Sequence, residues 1–102
     1  AHTASIFPDT LPLLTDSRNY AVSQHPGTSQ FRITMTGPLI LNAAMLLLPI
    51  LGKSKAHITP LLLGNAPERE LLPAGYVISH ARHISIYTDP GSHPLQPPLP
   101  DK

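Results

Sequence analysis

Apolar and polar positions alternate along two stretches of the chain and run together in a third. From Phe31 to Thr36 apolar and polar residues alternate with β-branched side chains among them, and residues 83–88 alternate in the same way. A period of two is the mark of a half-buried strand. Tyr20–Gln24 is a further short strand candidate, and residues 25–30, with Pro26 and Gly27, connect it to the next. Residues 45–51 form an uninterrupted apolar run of strand length. Strands buried on both faces of a parallel sheet look like this, although Pro49 removes an amide donor.

Between these runs lie helix signals. Pro38 suits a first helical turn, which predicts a helix over residues 39–44. The turn at Gly52 leads into a helix predicted over residues 54–63, with Pro60 ending or kinking it. Residues 64–72 read as a polar connection, and residues 73–81 as a further helix. Near the start, Thr3 and Ser5 are N-cap candidates, succeeded by a short helical turn and a loop over residues 9–18. The order strand, strand, helix, strand, helix, helix, strand predicts an α/β fold with a mostly parallel sheet and flanking helices. Pro90, Pro94, Pro97, Pro98 and Pro100 crowd the end of the chain. Residues 1–89 are therefore expected to be the folded part, and residues 90–102 an extended, flexible proline-rich tail.

Composition narrows the function classes. Charged residues are 13% of the 102 residues, against 41% hydrophobic, which suits a chain with much buried surface rather than a disordered one. The net charge is +1 and no basic run occurs, so no nucleic-acid partner is expected. The most apolar stretch, residues 38–51, contains Asn42 and Pro49 and is shorter than the roughly 20 residues a spanning helix needs. A helix–strand pair is expected there, and no membrane partner. Cysteine is absent, which removes disulfides and thiolate metal sites and fits a reducing compartment; a cytoplasmic location is expected.

Three places carry candidate chemistry. At Gly52 to Lys55 a strand ends, a glycine turns the chain and a helix is predicted to begin. Helix-start amides lack internal partners, ligands gather beyond the carboxyl ends of parallel strands, and a lysine adds a point charge suited to phosphate. These features predict an anion site at Gly52 and Lys55, with a solvated lysine pair as the alternative. His2, among small hydroxyl residues, can act as a general base near neutral pH or be an ordinary surface histidine. Arg32 opens a strand, where it can bind an anion or make a structural ion pair. His80 and His83 would share a helix face, but a zinc site needs three or four ligands and no acidic partner has matching spacing, so no metal is expected.

These same segments carry a family resemblance. The run His2-Thr3-Ala4-Ser5-Ile6-Phe7-Pro8 resembles the D-G-H-T-A-S-[LI]-F-P signature of the 6-phosphogluconolactonases. Arg32 to Thr36 is similar to that family's R-I-T-L-T strand, Gly52 to Lys55 to its G-x-x-K turn, and residues 83–87 to its closing strand. The related glucosamine-6-phosphate deaminases carry a different histidine segment, typically G-H-I-A-F-N-E-P, and Thr3, Ser5 and Phe7 point to the lactonase branch. Ala1 stands where the family has glycine.

The resemblance implies a NagB-like, Rossmann-like fold of which this chain is the C-terminal half. It implies hydrolysis of 6-phospho-glucono-1,5-lactone to 6-phosphogluconate without any cofactor. His2 would be the acid/base that activates water. Lys55 would hold the phosphorylated sugar lactone, with Arg32 and Gly52 in the same anionic region. The family's N-terminal half carries a glycine-rich phosphate loop and further substrate-binding residues, so that half or a second chain is an expected partner, set against an exposed sheet edge or face. The alternative is a non-catalytic remnant that binds sugar phosphates or pairs with another protein.

Overall fold

The structure, a computed structural model, describes residues 1–94. It is an α/β fold. The elements are β1 (Tyr20–Gln24), β2 (Phe31–Met35), α1 (Gly37–Leu41), β3 (Leu46–Ile50), α2 (Thr59–Leu63), α3 (Pro73–His80) and β4 (Ile84–Thr88), with 3-10 segments at Pro8–Leu14, Lys53–Lys55 and Pro67–Leu71.

The strands form two separate pairs rather than one sheet. β3 and β4 are parallel, joined through α2 and α3, with Leu46 opposite Ile84 and Ile50 opposite Thr88. β1 and β2 form an antiparallel hairpin with Gln24 opposite Phe31. The parallel character expected of the whole sheet is thus confined to β3–β4. The reason lies in the connections: β1 and β2 are joined by a short turn, and only a long crossover can make neighbours parallel. In that turn the His25 N–H donates to the Gln30 carbonyl and the Ser29 N–H to the His25 carbonyl.

Leu46, Leu48 and Ile50 of β3 and Ile84 and Ile86 of β4 face the helices. They belong to two apolar clusters, one around Ile6, Leu14, Ile40 and Val77, the other around Ile50, Leu62 and Ala74. Leu47 and Tyr87, on the other face, are more than half exposed. The expected two-sided burial of β3 is therefore met on one side only among the described residues. Pro49 is accommodated by geometry. The Leu46 N–H donates to the His83 carbonyl, so amides of alternate residues, 46, 48 and 50, point at β4. The nitrogen of Pro49 faces the edge that is unpaired among the described residues, where no ladder bond is lost.

The hairpin inverts the usual pattern. Its inward positions include Ala21, Ser23 and Thr34, all buried, while Tyr20, Val22, Phe31, Ile33 and Met35 are exposed on the outward face. The inward hydroxyls are not idle. Thr34 Oγ1 accepts the Ser5 N–H at 3.0 Å, and the Ser23 hydroxyl donates to the Ser5 carbonyl. Period-two alternation marked the strand correctly, but the polar face is the one turned inward because it anchors the loop carrying His2.

Helix boundaries differ from expectation in physically explicable ways. Residues 54–63 are not one helix: a single 3-10 turn at Lys53–Lys55 precedes α2, and Pro60 sits in the first turn of α2, where its missing N–H costs nothing. α1 begins two residues earlier than predicted, with Thr36 as N-cap. Thr3 and Ser5 cap nothing; Phe7 precedes the first 3-10 segment, and Thr3 pairs with Ile6 across a tight turn. The expected polar connection of residues 64–72 contains the Pro67–Leu71 segment, which crosses α3 closely at Gly75. The tail expected over residues 90–102 falls partly outside the described residues. Within them, Ser92 is fully buried, so packed structure continues past residue 89.

Candidate functional site

The segment carrying His2 is held from three directions. Thr3 and Ile6 exchange both backbone hydrogen bonds, at 3.1 and 2.8 Å, across a turn in which Ala4 takes a left-handed φ of 49°. Ile6 is fully buried in the first apolar cluster, which stabilises the turn by roughly 1.5–3 kcal/mol. The Ala1 carbonyl accepts the Ala74 N–H at the start of α3, at 3.0 Å. Together with the two hydroxyl bonds to Ser5, these contacts fix the loop against both the hairpin and the parallel pair.

The His2 ring packs on Phe7 at 5.3 Å between centroids, tilted by 32°. Phe7 also meets His25 edge-on at 5.1 Å, and the Arg32 guanidinium lies 5.9 Å from the Phe7 centroid, within cation–π range. Nδ1 of His25 accepts the N–H groups of Gly27 and Thr28 at 3.0 and 3.1 Å, which fixes that ring in its turn. Phe7, buried, is thus the common support of His2, His25 and Arg32.

On the other side, His2 and Lys55 line one cavity of about 120 Å³, floored by Leu48, Ile50, Leu62 and Ala74. Partial burial, then the positive charges of Lys55 and Arg32, hold the His2 imidazole below its ordinary range. Its neutral, base form therefore dominates at neutral pH. A larger groove of about 370 Å³ lies between the Pro8–Leu14 segment and the hairpin, but its walls are mainly apolar and its charged group is Asp9; the cations are not there.

Of the residues singled out in the sequence, His2 and Lys55 share a cavity wall. Arg32 does not line that cavity; it adjoins His2 through Phe7 and reaches Gln30 at 3.4 Å. Gly52 has a φ of 92°, a conformation that glycine takes freely. Its N–H is not open to an anion, because it donates to the Asp89 carboxylate at 3.1 Å. Nor does a helix N-terminus face the cavity at this point, since the element after Gly52 is a three-residue 3-10 turn. What remains for an anion is the Lys55 ammonium. His80 closes α3 by pairing with Glu70 at 2.9 Å and stacking on Tyr76, and among the described residues no three His, Cys, Asp or Glu side chains gather. Nor, among these residues, is any helix long and apolar enough to cross a membrane.

Phe7, His25 and Asp89 were not assigned to the site from sequence. The Asp89-Pro90-Gly91-Ser92 run after a strand has turn composition, a signal that could have marked Asp89. Nothing local to Phe7 or His25 reveals that they meet, because their contact depends on the hairpin folding back.

A protein-family model described as "Glucosamine-6-phosphate isomerases/6-phosphogluconolactonase" matches residues 1–86. A 6-phosphogluconolactonase of Treponema pallidum (strain Nichols) is 43% identical over 54 residues, which cover 53% of this chain and 22% of that protein. Among solved structures, the crystal structure of devB protein superposes with a TM-score of 0.78 at 27% identity, over 89% of this chain and 38% of that one. The 6-phosphogluconolactonase from Leishmania guyanensis superposes with a TM-score of 0.70 at 30% identity, over 89% of this chain and 36% of that one. The chain thus spans well under half the length of each of these relatives.

Proposed function

The chain belongs to the glucosamine-6-phosphate isomerase/6-phosphogluconolactonase family, and from that premise we propose that it serves hydrolysis of 6-phospho-glucono-1,5-lactone to 6-phosphogluconate, with His2 activating the water. The observation that carries the reading is the meeting of a neutral histidine and a lysine on one cavity wall.

In this reading a water lies between the His2 imidazole and the lactone carbonyl. The imidazole takes a proton as the water oxygen bonds to the carbonyl carbon. The tetrahedral intermediate collapses by breaking the bond to the ring oxygen, and the imidazolium returns the proton to that oxygen. Atoms balance: one water is consumed and an open-chain acid is released. A depressed imidazole pKa keeps the base form available at neutral pH, and Phe7 orients the ring. Lys55 attracts the anionic substrate and helps hold its phosphate; Arg32, beyond Phe7, adds to the positive field.

The cavity volume sets a limit on what these residues do alone. About 120 Å³ is below the roughly 300–1,000 Å³ of small-molecule sites. The described residues therefore supply the base and one cationic wall of the site.

The test is lactone hydrolysis above the spontaneous rate, measured for the chain and for His2→Ala. A general base contributes about 10²- to 10⁴-fold, so the variant is expected to lose at least about 100-fold. Equal rates for the two remove His2 from the mechanism. Binding of 6-phosphogluconate with no hydrolysis by either replaces the enzymatic reading with that of a non-catalytic sugar-phosphate binder.

A further inference from the structure

We propose that Asp89 and Ser92 form a clasp across the ends of β3 and β4 that sets the position of Lys55, so that both are positioning residues for anion binding. The proposal rests on the reading of Lys55 as a substrate-holding residue.

The ladder itself shows where the clasp intervenes. With Ile50 opposite Thr88 and the Leu46 N–H on the His83 carbonyl, the parallel pattern assigns the next two rungs. The Asp89 N–H should meet the Ile50 carbonyl, and the Gly52 N–H should meet the Asp89 carbonyl. Neither rung forms in that way. The Ser92 hydroxyl is inserted into the first: it accepts the Asp89 N–H at 3.2 Å and donates to the Ile50 carbonyl. The Asp89 side chain replaces the second: its two carboxylate oxygens accept the Gly52 N–H at 3.1 and 3.2 Å. One of them also accepts the Ser92 N–H at 2.8 Å.

Side chains thus end the ladder where the backbone would have continued it, and the two strands are free to part. β3 leaves through Gly52 into the turn that bears Lys55. Here the Lys55 N–H donates to the Gly52 carbonyl at 3.1 Å, so the lysine backbone is one hydrogen bond removed from the residue that Asp89 holds. Among the described residues, the bonds from Asp89 are the long-range hydrogen bonds that reach residues 52–55; the others there are local.

Burial indicates that the clasp is built rather than incidental. Ser92 is 0% exposed, and a buried hydroxyl with both of its roles used is costly to disturb. The amides of Ser92 and Gly52 hold the Asp89 carboxyl below the usual carboxylate range, consistent with bonds made to the ionised form.

The test uses the full chain with 6-phosphogluconate and, separately, inorganic phosphate as probes in calorimetric titrations. Asp89→Ala and Ser92→Ala are each expected to weaken binding about 10-fold, the size of one lost hydrogen bond to a charged or buried group. Asp89→Asn, which keeps an acceptor oxygen and the side-chain volume, is expected to recover most of the loss and serves where the alanine variant does not fold. The Gly52 amide proton resonance is expected to move upfield in Asp89→Ala, a signature that general loosening of the core does not produce. If Lys55→Ala loses binding while Asp89→Ala and Ser92→Ala bind as the unaltered chain does, the clasp is refuted and the reading of Lys55 stands. If Lys55→Ala binds unchanged, or the unaltered chain binds neither probe, the reading fails and takes the clasp's role with it. An unmoved Gly52 resonance in Asp89→Ala refutes the clasp directly.

Discussion

Replacing Gly75 with alanine sets two effects of opposite sign against each other. Gly75 lies in α3, and alanine in place of glycine inside a helix ordinarily stabilises by roughly 0.5–1 kcal/mol. Here a Cβ would stand 2.1 Å from the Arg69 carbonyl oxygen and 2.6 Å from Arg69 Cγ. Ordinary non-bonded contact begins near about 3.5 Å, so the Pro67–Leu71 segment must retreat by more than an ångström. The arginine stem can swing aside, but the backbone carbonyl cannot. Forced overpacking of this kind costs about 1–3 kcal/mol, which exceeds the helical gain. The expected net loss is about 1–2 kcal/mol, a fall in melting temperature of about 5–15 °C for a chain of this size. Thermal unfolding followed by circular dichroism measures it directly. A Gly75→Ala protein that melts at or above the parent temperature would show that the crossing has room to relax and that the close approach carries no weight.

Two further perturbations bear on the His2 loop. Ala4 sits at a φ of 49°, where a Cβ costs about 1–2 kcal/mol, while glycine loses roughly 0.4–1 kcal/mol more entropy on folding. Ala4→Gly is therefore expected to raise the urea midpoint by an amount equivalent to about 0.5 kcal/mol, and a lowered midpoint contradicts the strain. The second concerns protons. The folded imidazole of His2 titrates below its unfolded value of about 6.5, so the unfolded chain binds the proton first. Stability is therefore complete above about pH 6.5 and falls as pH drops toward the folded pKa. An NMR titration of His2 should give a midpoint below about 6.5, and His2→Ala should flatten that part of the stability–pH profile; a midpoint on the other side of that value reverses the sign.

Legibility in the sequence tracks the range of the interactions. Strand positions came through because alternation and apolar runs are local, and both the element order and the α/β class agree with the structure. Strand partnership did not, because nothing in Tyr20–Gln24 or residues 45–51 states which edge meets which. Helix limits around Gly52 slipped because the glycine's amide is claimed by Asp89, 37 residues away, and the next three residues close as a 3-10 turn. His2 and Lys55 stood out through their motifs, and the fold brings them to one cavity wall. Phe7 beneath His2 and the hydroxyls of Ser23 and Thr34 behind it belong to tertiary contacts that local patterns do not encode. The inverted hairpin is the clearest case: its alternation is plain in the sequence, yet which face turns inward depends on a loop some 20 to 30 residues upstream.

The side of β3 that is unpaired among the described residues has a consequence for association. Within the strand, the groups pointing away from β4 are the N–H and C=O of Leu47 and the C=O of Pro49. Acceptors there outnumber donors, so a strand that pairs across the proline leaves one of its own carbonyls unanswered opposite the ring. The imbalance acts as a key. It disfavours promiscuous stacking of copies along that border, a hazard for any bare strand, and it favours a neighbour that presents no carbonyl opposite the proline ring.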